Sequence, residues 1–266
     1  MAELNISIKA EPVFHIGAIP LTNSAIYTSI LVILFIIIGL KYNFDSKKAK
    51  SSKFKLFVDM LLKTLYDFCK SITGDQTPML FPLLATLFFF IIFSNWSGLI
   101  PGVGSVGLNL VEEGKKVLVP ILRGPTADLN TTFALALIAV FSIQYFGVKA
   151  LGTSYFKKFI NLSNPINTFI GLLDIISEIS KIMSFSFRLF GNIFAGEVLL
   201  AVIGFLIPFL ASLPFIGLEL FVGFIQALVF MMLCSVFIAS AMSSHEGHKE
   251  EIPQDGKANL EISLTS

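Results

Sequence analysis

The sequence predicts an all-α, polytopic membrane protein: five membrane-spanning segments, the last two forming a long tilted C-terminal helix hairpin, plus one amphipathic surface helix. Three observations carry this expectation. Of 266 residues, 55% are hydrophobic and only 14% are charged, whereas soluble domains carry about 25% charged residues. The apolar residues gather in five long blocks rather than alternating. Between the first two blocks, apolar residues recur with the period of a helix lying on a surface.

A helix needs about 20 residues at 1.5 Å rise to cross the hydrocarbon layer. The blocks at about 23–40, 79–101 and 129–148 have that length. The fourth, about 167–210, is far longer than a perpendicular crossing needs, so it must tilt, bend or lie partly along the membrane. The fifth, about 214–242, is also long, and Ser212, Leu213 and Pro214 are read as the tight hairpin connection. Residues 23–243 then form one transmembrane domain, with an outer segment before it (1–22) and a flexible polar tail after it (244–266). Glu3, Lys9 and Glu11 give the N-terminus no basic start and no small-residue cleavage pattern follows, so the first span is expected to be retained.

Lysines set the orientation. Lys41, Lys47, Lys48, Lys50, Lys53 and Lys55 follow the first span; Lys149, Lys157 and Lys158 follow the third. On the opposite side, Lys115, Lys116 and Arg123 are offset by Glu112, Glu113 and Asp128. The positive-inside rule places the lysine-rich segments in the cytoplasm or its equivalent, with the N-terminus outside. In the surface helix, about 53–70, Phe54, Phe57, Val58, Leu61, Leu62, Leu65 and Phe68 share the apolar side, and the lysines can snorkel to headgroups. It is either a plain membrane anchor or a contact for a peripheral stalk.

Several function classes drop out. A net charge of +1 points to no nucleic-acid partner. Cys69 and Cys234 lie in unrelated segments and define no disulfide or metal spacing. Gly102-Val103-Gly104-Ser105-Val106-Gly107 matches a dinucleotide fingerprint only literally, because it follows a membrane helix and is expected to be a flexible outer loop. The histidines, His15, His245 and His248, are all near the termini, so no catalytic triad assembles. The acidic tail around His245 and His248 lacks the supporting shell of a metal site. No cofactor or metal is expected.

Arg188 is the informative residue. A guanidinium stays charged at physiological pH, and at the centre of a membrane helix it costs about 3 kcal/mol on insertion scales. Such a charge faces a cavity, a partner or an ion path, so ion movement is the leading expectation. At about 100° per residue, Asp174, Ser177, Lys181, Ser184 and Asn192 fall within about 40° of Arg188, giving a polar stripe along the fourth span. Glu197 lies on the opposite side, about 13 Å further along the axis. In the fifth span Glu219, Gly223 and Gln226 share a face, and Glu219 could meet Glu197 across the hairpin as a coupled carboxyl pair. The bland alternatives stand beside these: serines as packing glue, Glu178 and Lys181 as an interfacial pair at i,i+3 spacing, Asp128 as an N-cap. A voltage sensor would need several regularly spaced arginines.

The run Arg188-Leu189-Phe190-Gly191-Asn192 with Ala195-Gly196-Glu197 resembles the signature helix of subunit a of the F-type ATP synthase family. Phe224-Ile225-Gln226-Ala227-Leu228-Val229-Phe230 is similar to the family's last helix, Pro125-Thr126-Ala127-Asp128-Leu129-Asn130-Thr131-Thr132 to the start of its third span, and Asn95-Trp96-Ser97-Gly98-Leu99-Ile100-Pro101 to the end of its second. The resemblance implies a stator beside the rotating c-ring, held by peripheral stalk b subunits in the lipid bilayer, with no ATP chemistry of its own. It implies that Arg188 faces each passing rotor carboxylate and separates two offset half-channels, with Asn192 and Gln226 bordering that contact. Glu197 and Glu219 would line the outer half-channel, with Asp128 and Asn130 as weaker candidates at its mouth. Family members vary at the position of Glu219, so the order of proton transfer between two glutamates is open. Protons are the default ion and sodium the alternative; a bacterial inner (plasma) membrane is expected, with a mitochondrial inner membrane the alternative. The rival class is a standalone transporter or channel with Arg188 holding an anion, which predicts internal repeats that the two halves do not display.

Overall fold

The computed structural model describes residues 12–16, 19–47, 52–100, 103, 107–112, 115–120, 122–159, 165–206 and 212–243. The polar tail with His245 and His248, most of the glycine loop, and residues 207–211 of the hairpin connection lie outside the described residues. Five helices are long and apolar enough to cross a membrane, as the apolar blocks predict.

The first of these, α1 (Asn23–Ser46), begins where the Thr22 hydroxyl accepts a hydrogen bond from the Ala25 N–H at 3.2 Å. It touches the rest of the protein mainly at its two ends. At its N-terminal end the Tyr27 hydroxyl donates to the Ser97 carbonyl (3.1 Å) and the Asn23 amide to the Pro120 carbonyl (3.1 Å). At its C-terminal end the Tyr42 hydroxyl donates to Asp59 (2.7 Å), and the Lys41 ammonium lies 4.6 Å above the Phe54 ring. Between those ends Ile33, Ile36, Ile37 and Leu40 are exposed, as lipid-facing residues must be.

The amphipathic helix α2 (Lys53–Thr73) starts at Ser52, whose hydroxyl accepts from the Phe54 N–H (3.2 Å). Its two halves differ. Leu65, Cys69 and Thr73 are buried, with the Cys69 thiol 3.8 Å from the Met231 sulfur, while Leu56, Phe57 and Met60 are exposed. A single 3-10 turn, Gly74–Gln76, leads into α3 (Thr77–Gly98). Proline within this helix, Pro82, donates no backbone hydrogen bond, and its carbonyl accepts from the Thr86 hydroxyl at 2.7 Å.

Helices α4 (Leu129–Leu151), α5 (Pro165–Leu206) and α6 (Ser212–Met242) complete the bundle. The core lies among α3, α4 and α6, where Leu80, Leu84, Ile91, Ile143, Phe230 and Met231 are buried, and α5 contributes Phe185 and Leu189 from one side. A helix of 42 residues is about 63 Å long, about twice the hydrocarbon thickness, so α5 crosses only at a strong tilt.

Two expectations are corrected. Ser212, Leu213 and Pro214 are not the hairpin connection but the first turn of α6, where proline's missing N–H needs no intrahelical partner. The outer loop is also more than a flexible connection: β3 (Gly107–Glu112) pairs antiparallel with β4 (Lys115–Pro120). The valines of Leu108–Val111 and Val117–Val119 suit an extended ribbon. A second hairpin, β1 (Pro12–Ile16) with β2 (Ile19–Thr22), precedes α1. The helical bundle therefore carries two small ribbons, one before α1 and one between α3 and α4.

Candidate functional site

The candidate residues lie along the α5–α6 pair and the turn that precedes α4. The buried side of α5 carries Phe185, Ser186, Leu189, Ile193 and Gly196. Ser177, Ser184, Arg188, Gly191, Asn192 and Ala195 fall on the side turned away from the bundle and are exposed. The polar stripe expected from the helical wheel is thus presented outward, with small residues around the arginine. Arg188 donates from Nη2 to the Ser184 hydroxyl at 3.3 Å, and among the described residues no carboxylate pairs with it.

Asp174 and Lys181 depart from that stripe. Both are half-buried, and the Lys181 ammonium turns inward, 2.7 Å from a Glu178 oxygen and 4.8 Å above the Phe237 ring. The other Glu178 oxygen accepts from the Gln144 amide (2.8 Å), whose carbonyl accepts from the buried Tyr155 hydroxyl (2.7 Å). The i,i+3 pair expected as the bland reading is therefore present, and it extends into a network joining α4, α5 and α6.

Across the hairpin, the Asn192 amide donates to the Gln226 carbonyl at 2.6 Å. Gln226 is 3% exposed, and its own amide nitrogen has no partner among the described residues. Two turns earlier on α6, Glu219 is 7% exposed, and its carboxyl occupies the space a Cβ on Gly196 would need. Only glycine permits that approach. Gly196 precedes Glu197, so the two glutamates lie toward the same end of the α5–α6 pair.

The turn before α4 is the third wall. Pro125–Ala127 forms a 3-10 turn that touches α1, α3, α4 and α5. Its close seat against α3 depends on paired glycines: a Cβ on Gly124 would lie 3.4 Å from the Gly98 α-carbon and 3.8 Å from a Glu197 oxygen. Asp128 caps α4, accepting from the Asn130 N–H at 3.2 Å and from the Thr131 hydroxyl at 3.3 Å. Asn130 is exposed beside it.

Sequence reasoning missed Arg123 and Asn95. Arg123 is only 9% exposed and donates to the Ala127 carbonyl at 3.3 Å; counted as a loop charge, it gave no periodic signal. Asn95 donates to the Gly223 carbonyl at 3.0 Å, and its carbonyl oxygen is buried without a partner among the described residues. Ser94 and Thr126 have similarly orphaned hydroxyl oxygens. A lone amide in the apolar run of α3 was the available signal. Buried polar atoms in native proteins are satisfied by protein or by ordered water. Four orphans on α3, the 3-10 turn and α6 thus mark a region suited to water.

A bundle of five helices long and apolar enough to cross a membrane, with an outward-facing arginine on one long helix, defines a polytopic helical membrane protein. Comparison with known proteins makes this specific. The family model described as ATP synthase A chain matches residues 24–239, and the chain belongs to that family. It is 38% identical to ATP synthase subunit a of Syntrophobacter fumaroxidans over 187 residues, 70% of each chain. It is 31% identical to ATP synthase subunit a of Legionella pneumophila (strain Corby) over 234 residues, 88% of this chain and 92% of that one.

Proposed function

We propose that this chain is the proton-translocating stator subunit of a rotary ATP synthase, with Arg188 separating two offset half-channels that serve the c-ring. The outward presentation of Arg188, with no carboxylate paired to it among the described residues, carries the reading. A charge so placed in a membrane needs a counter-charge from elsewhere, and the small residues Ser184, Gly191 and Ala195 leave room for a neighbouring helix.

The mechanism follows from Coulomb's law. Two opposite unit charges about 4 Å apart at an effective dielectric of 20 attract by about 4 kcal/mol, equivalent to about three pH units of proton affinity. A rotor carboxylate in front of Arg188 is held ionised, so its proton has to leave before the site arrives and another binds after it departs. Direct passage of a proton past the guanidinium is opposed by the same charge. Asn192 and Gln226 border this contact, and Glu219 and Glu197 supply exchangeable protons on the outer side, with the orphaned polar atoms of Asn95, Ser94 and Thr126 lining a wet approach. Asp128 and Asn130 shape the mouth by capping α4. Lipid surrounds the exposed apolar faces, peripheral stalk b subunits hold the stator, and the membrane is a bacterial plasma membrane. The transported ion is the proton, with the choice between proton and sodium residing in the rotor site.

The test is Arg188→Ala in the assembled complex reconstituted into vesicles. Proton-driven ATP synthesis is expected to vanish while the amount of complex stays near normal. Substantial synthesis by a well-assembled variant overturns the assignment. Solute uptake by the lone chain would instead favour a standalone transporter.

A further inference from the structure

The net charge of +1 conceals an uneven distribution: residues 41–70 hold eight lysines against three aspartates, and no arginine. Lys53, Lys63 and Lys70 of α2 are exposed and pair with no carboxylate among the described residues. Of the acids, Asp45 is buried, Asp59 accepts from the Tyr42 hydroxyl, and Asp67 is exposed. The same helix exposes Leu56, Phe57, Met60 and Leu61, each between 40 and 58%. At about 100° per residue these four span about 140° of arc, with Lys53 at the start of the strip and Lys63 and Lys70 along one edge. Leu65, Cys69 and Thr73 are buried on the other side, against the bundle.

We infer that the exposed side of α2 docks on anionic phospholipid: Leu56, Phe57, Met60 and Leu61 enter the leaflet below the headgroups, and Lys53, Lys63 and Lys70 hold the headgroup phosphates. The inference is independent of the half-channel reading. Its depth follows from α1. That helix has 24 residues, about 36 Å, enough to cross a hydrocarbon layer of about 30 Å. The Tyr42–Asp59 hydrogen bond and the Lys41–Phe54 contact tie the first half of α2 to the C-terminal end of α1, at the layer's edge. A strip mixing large apolar side chains with lysines suits neither water nor hydrocarbon alone. At the interface both are satisfied, because lysine stems lie along the apolar layer and carry their ammonium groups to the headgroups. The charge also selects the occupant. The three α2 lysines are spread over about 26 Å of helix rather than converging on one point, and ammonium groups lack the fork with which arginine grips a protein carboxylate. Dispersed lysines on an amphipathic helix complement an anionic lipid surface.

The experiment places a fluorophore on Thr64→Cys in the assembled complex. Thr64 is exposed beside Met60, and Cys69 and Cys234 are buried. The complex is reconstituted into phosphatidylcholine vesicles carrying headgroup-spin-labelled phosphatidylglycerol or, at the same mole fraction, headgroup-spin-labelled phosphatidylcholine. Quenching by the anionic lipid is expected to exceed quenching by the neutral one at least about fivefold, the effect of a single interfacial lysine. With Lys53→Gln, Lys63→Gln and Lys70→Gln combined, quenching by phosphatidylglycerol is expected to fall to the level of phosphatidylcholine. Equal quenching by the two lipids in the complex with its lysines intact overturns the inference, as does a preference that the triple variant retains. Quenching by neither lipid also overturns it, and loss of peripheral stalk subunits from the purified triple variant would then assign the strip to that partner. Should the triple variant fail to assemble, Lys63→Gln alone is expected to reduce the preference at least about twofold, and an unchanged preference sinks the inference.

Discussion

The polar groups packed around the two ends of α5 are of similar residue types in opposite states. At the inner end, Glu178, Lys181, Gln144 and Tyr155 satisfy one another through contacts of 2.7 to 2.8 Å. Toward the outer end, Glu219 and Gln226 are buried, the Glu219 carboxyl rests on glycine rather than on a cation, and the Gln226 amide nitrogen has no partner among the described residues. A closed set of partners fixes a structure, whereas open polar valences in a membrane interior call for water or a mobile ion. Arg188 lies between the two regions and faces away from both. Chemistry is therefore expected from the unsatisfied end and the arginine, and anchoring from the satisfied end.

The largest expected effect is complete loss of proton-driven synthesis on Arg188→Ala. Next comes Gly196→Ala. The added methyl collides with the Glu219 carboxyl, which sits at the end of a flexible side chain and moves aside. Assembly should survive and the proton flux per complex fall at least about tenfold, the rate equivalent of a 1.4 kcal/mol barrier increase. Glu219→Asp, shorter by one methylene, should recover part of the flux in that background. Equal flux in Gly196→Ala and the native complex would remove Glu219 from the path. Glu219→Gln in the native background should slow the outer half-channel severalfold without abolishing it, read as a changed flux–pH profile; an unchanged profile would place both ends of α5 in the same structural class.

Much of this architecture was legible because the bilayer imposes length and period. The five spans, the surface helix and the long α5 follow from uninterrupted apolar residues and helical spacing. Arg188 was legible because a permanent charge within such a run has few structural explanations. What escaped was long-range. The seating of the turn before α4 beside Glu197 depends on two glycines 26 positions apart, Gly98 and Gly124, meeting back to back. No local pattern records that meeting. The ribbon between α3 and α4 was missed because its strands are only 6 residues each and follow a glycine-rich run that reads as a loop. Lys181 shares the angular position of the polar stripe, yet its flexible stem lets the ammonium turn back to Glu178; a helical wheel fixes where a Cβ points, not where a long side chain ends.

A smaller effect is expected at the α4 cap. Asp128→Ala removes the acceptor for the Asn130 N–H, and losing an N-cap costs about 1 kcal/mol. The thermal midpoint of the complex should fall by a few degrees, with flux per surviving complex reduced less than for Gly196→Ala. Asp128→Asn, which retains a capping oxygen, should recover the midpoint. A flux loss as large as that of Gly196→Ala, with a normal midpoint, would move Asp128 from the cap into the ion path.

The smallest effect on flux is expected at the inner end, where the comparison can fail most informatively. Tyr155→Phe deletes a single hydroxyl and leaves the Gln144 carbonyl without that donor. A buried hydrogen bond is worth about 1 kcal/mol net, so complex stability should decline slightly. Glu178 keeps both of its partners, Lys181 and Gln144, and the position of α5 against α4 is retained. Synthesis per complex should therefore match the native rate at every pH measured. Glu178→Gln is the harsher version, because it strips the charge facing Lys181 and frees an ammonium on the same side of α5 as Arg188. If Tyr155→Phe is silent and Glu178→Gln reduces flux, the network's role is to keep that ammonium away from the rotor face. If Tyr155→Phe alone slows proton flux severalfold in a stable complex, the satisfied network is itself conducting, and satisfied hydrogen bonds no longer separate anchor from channel.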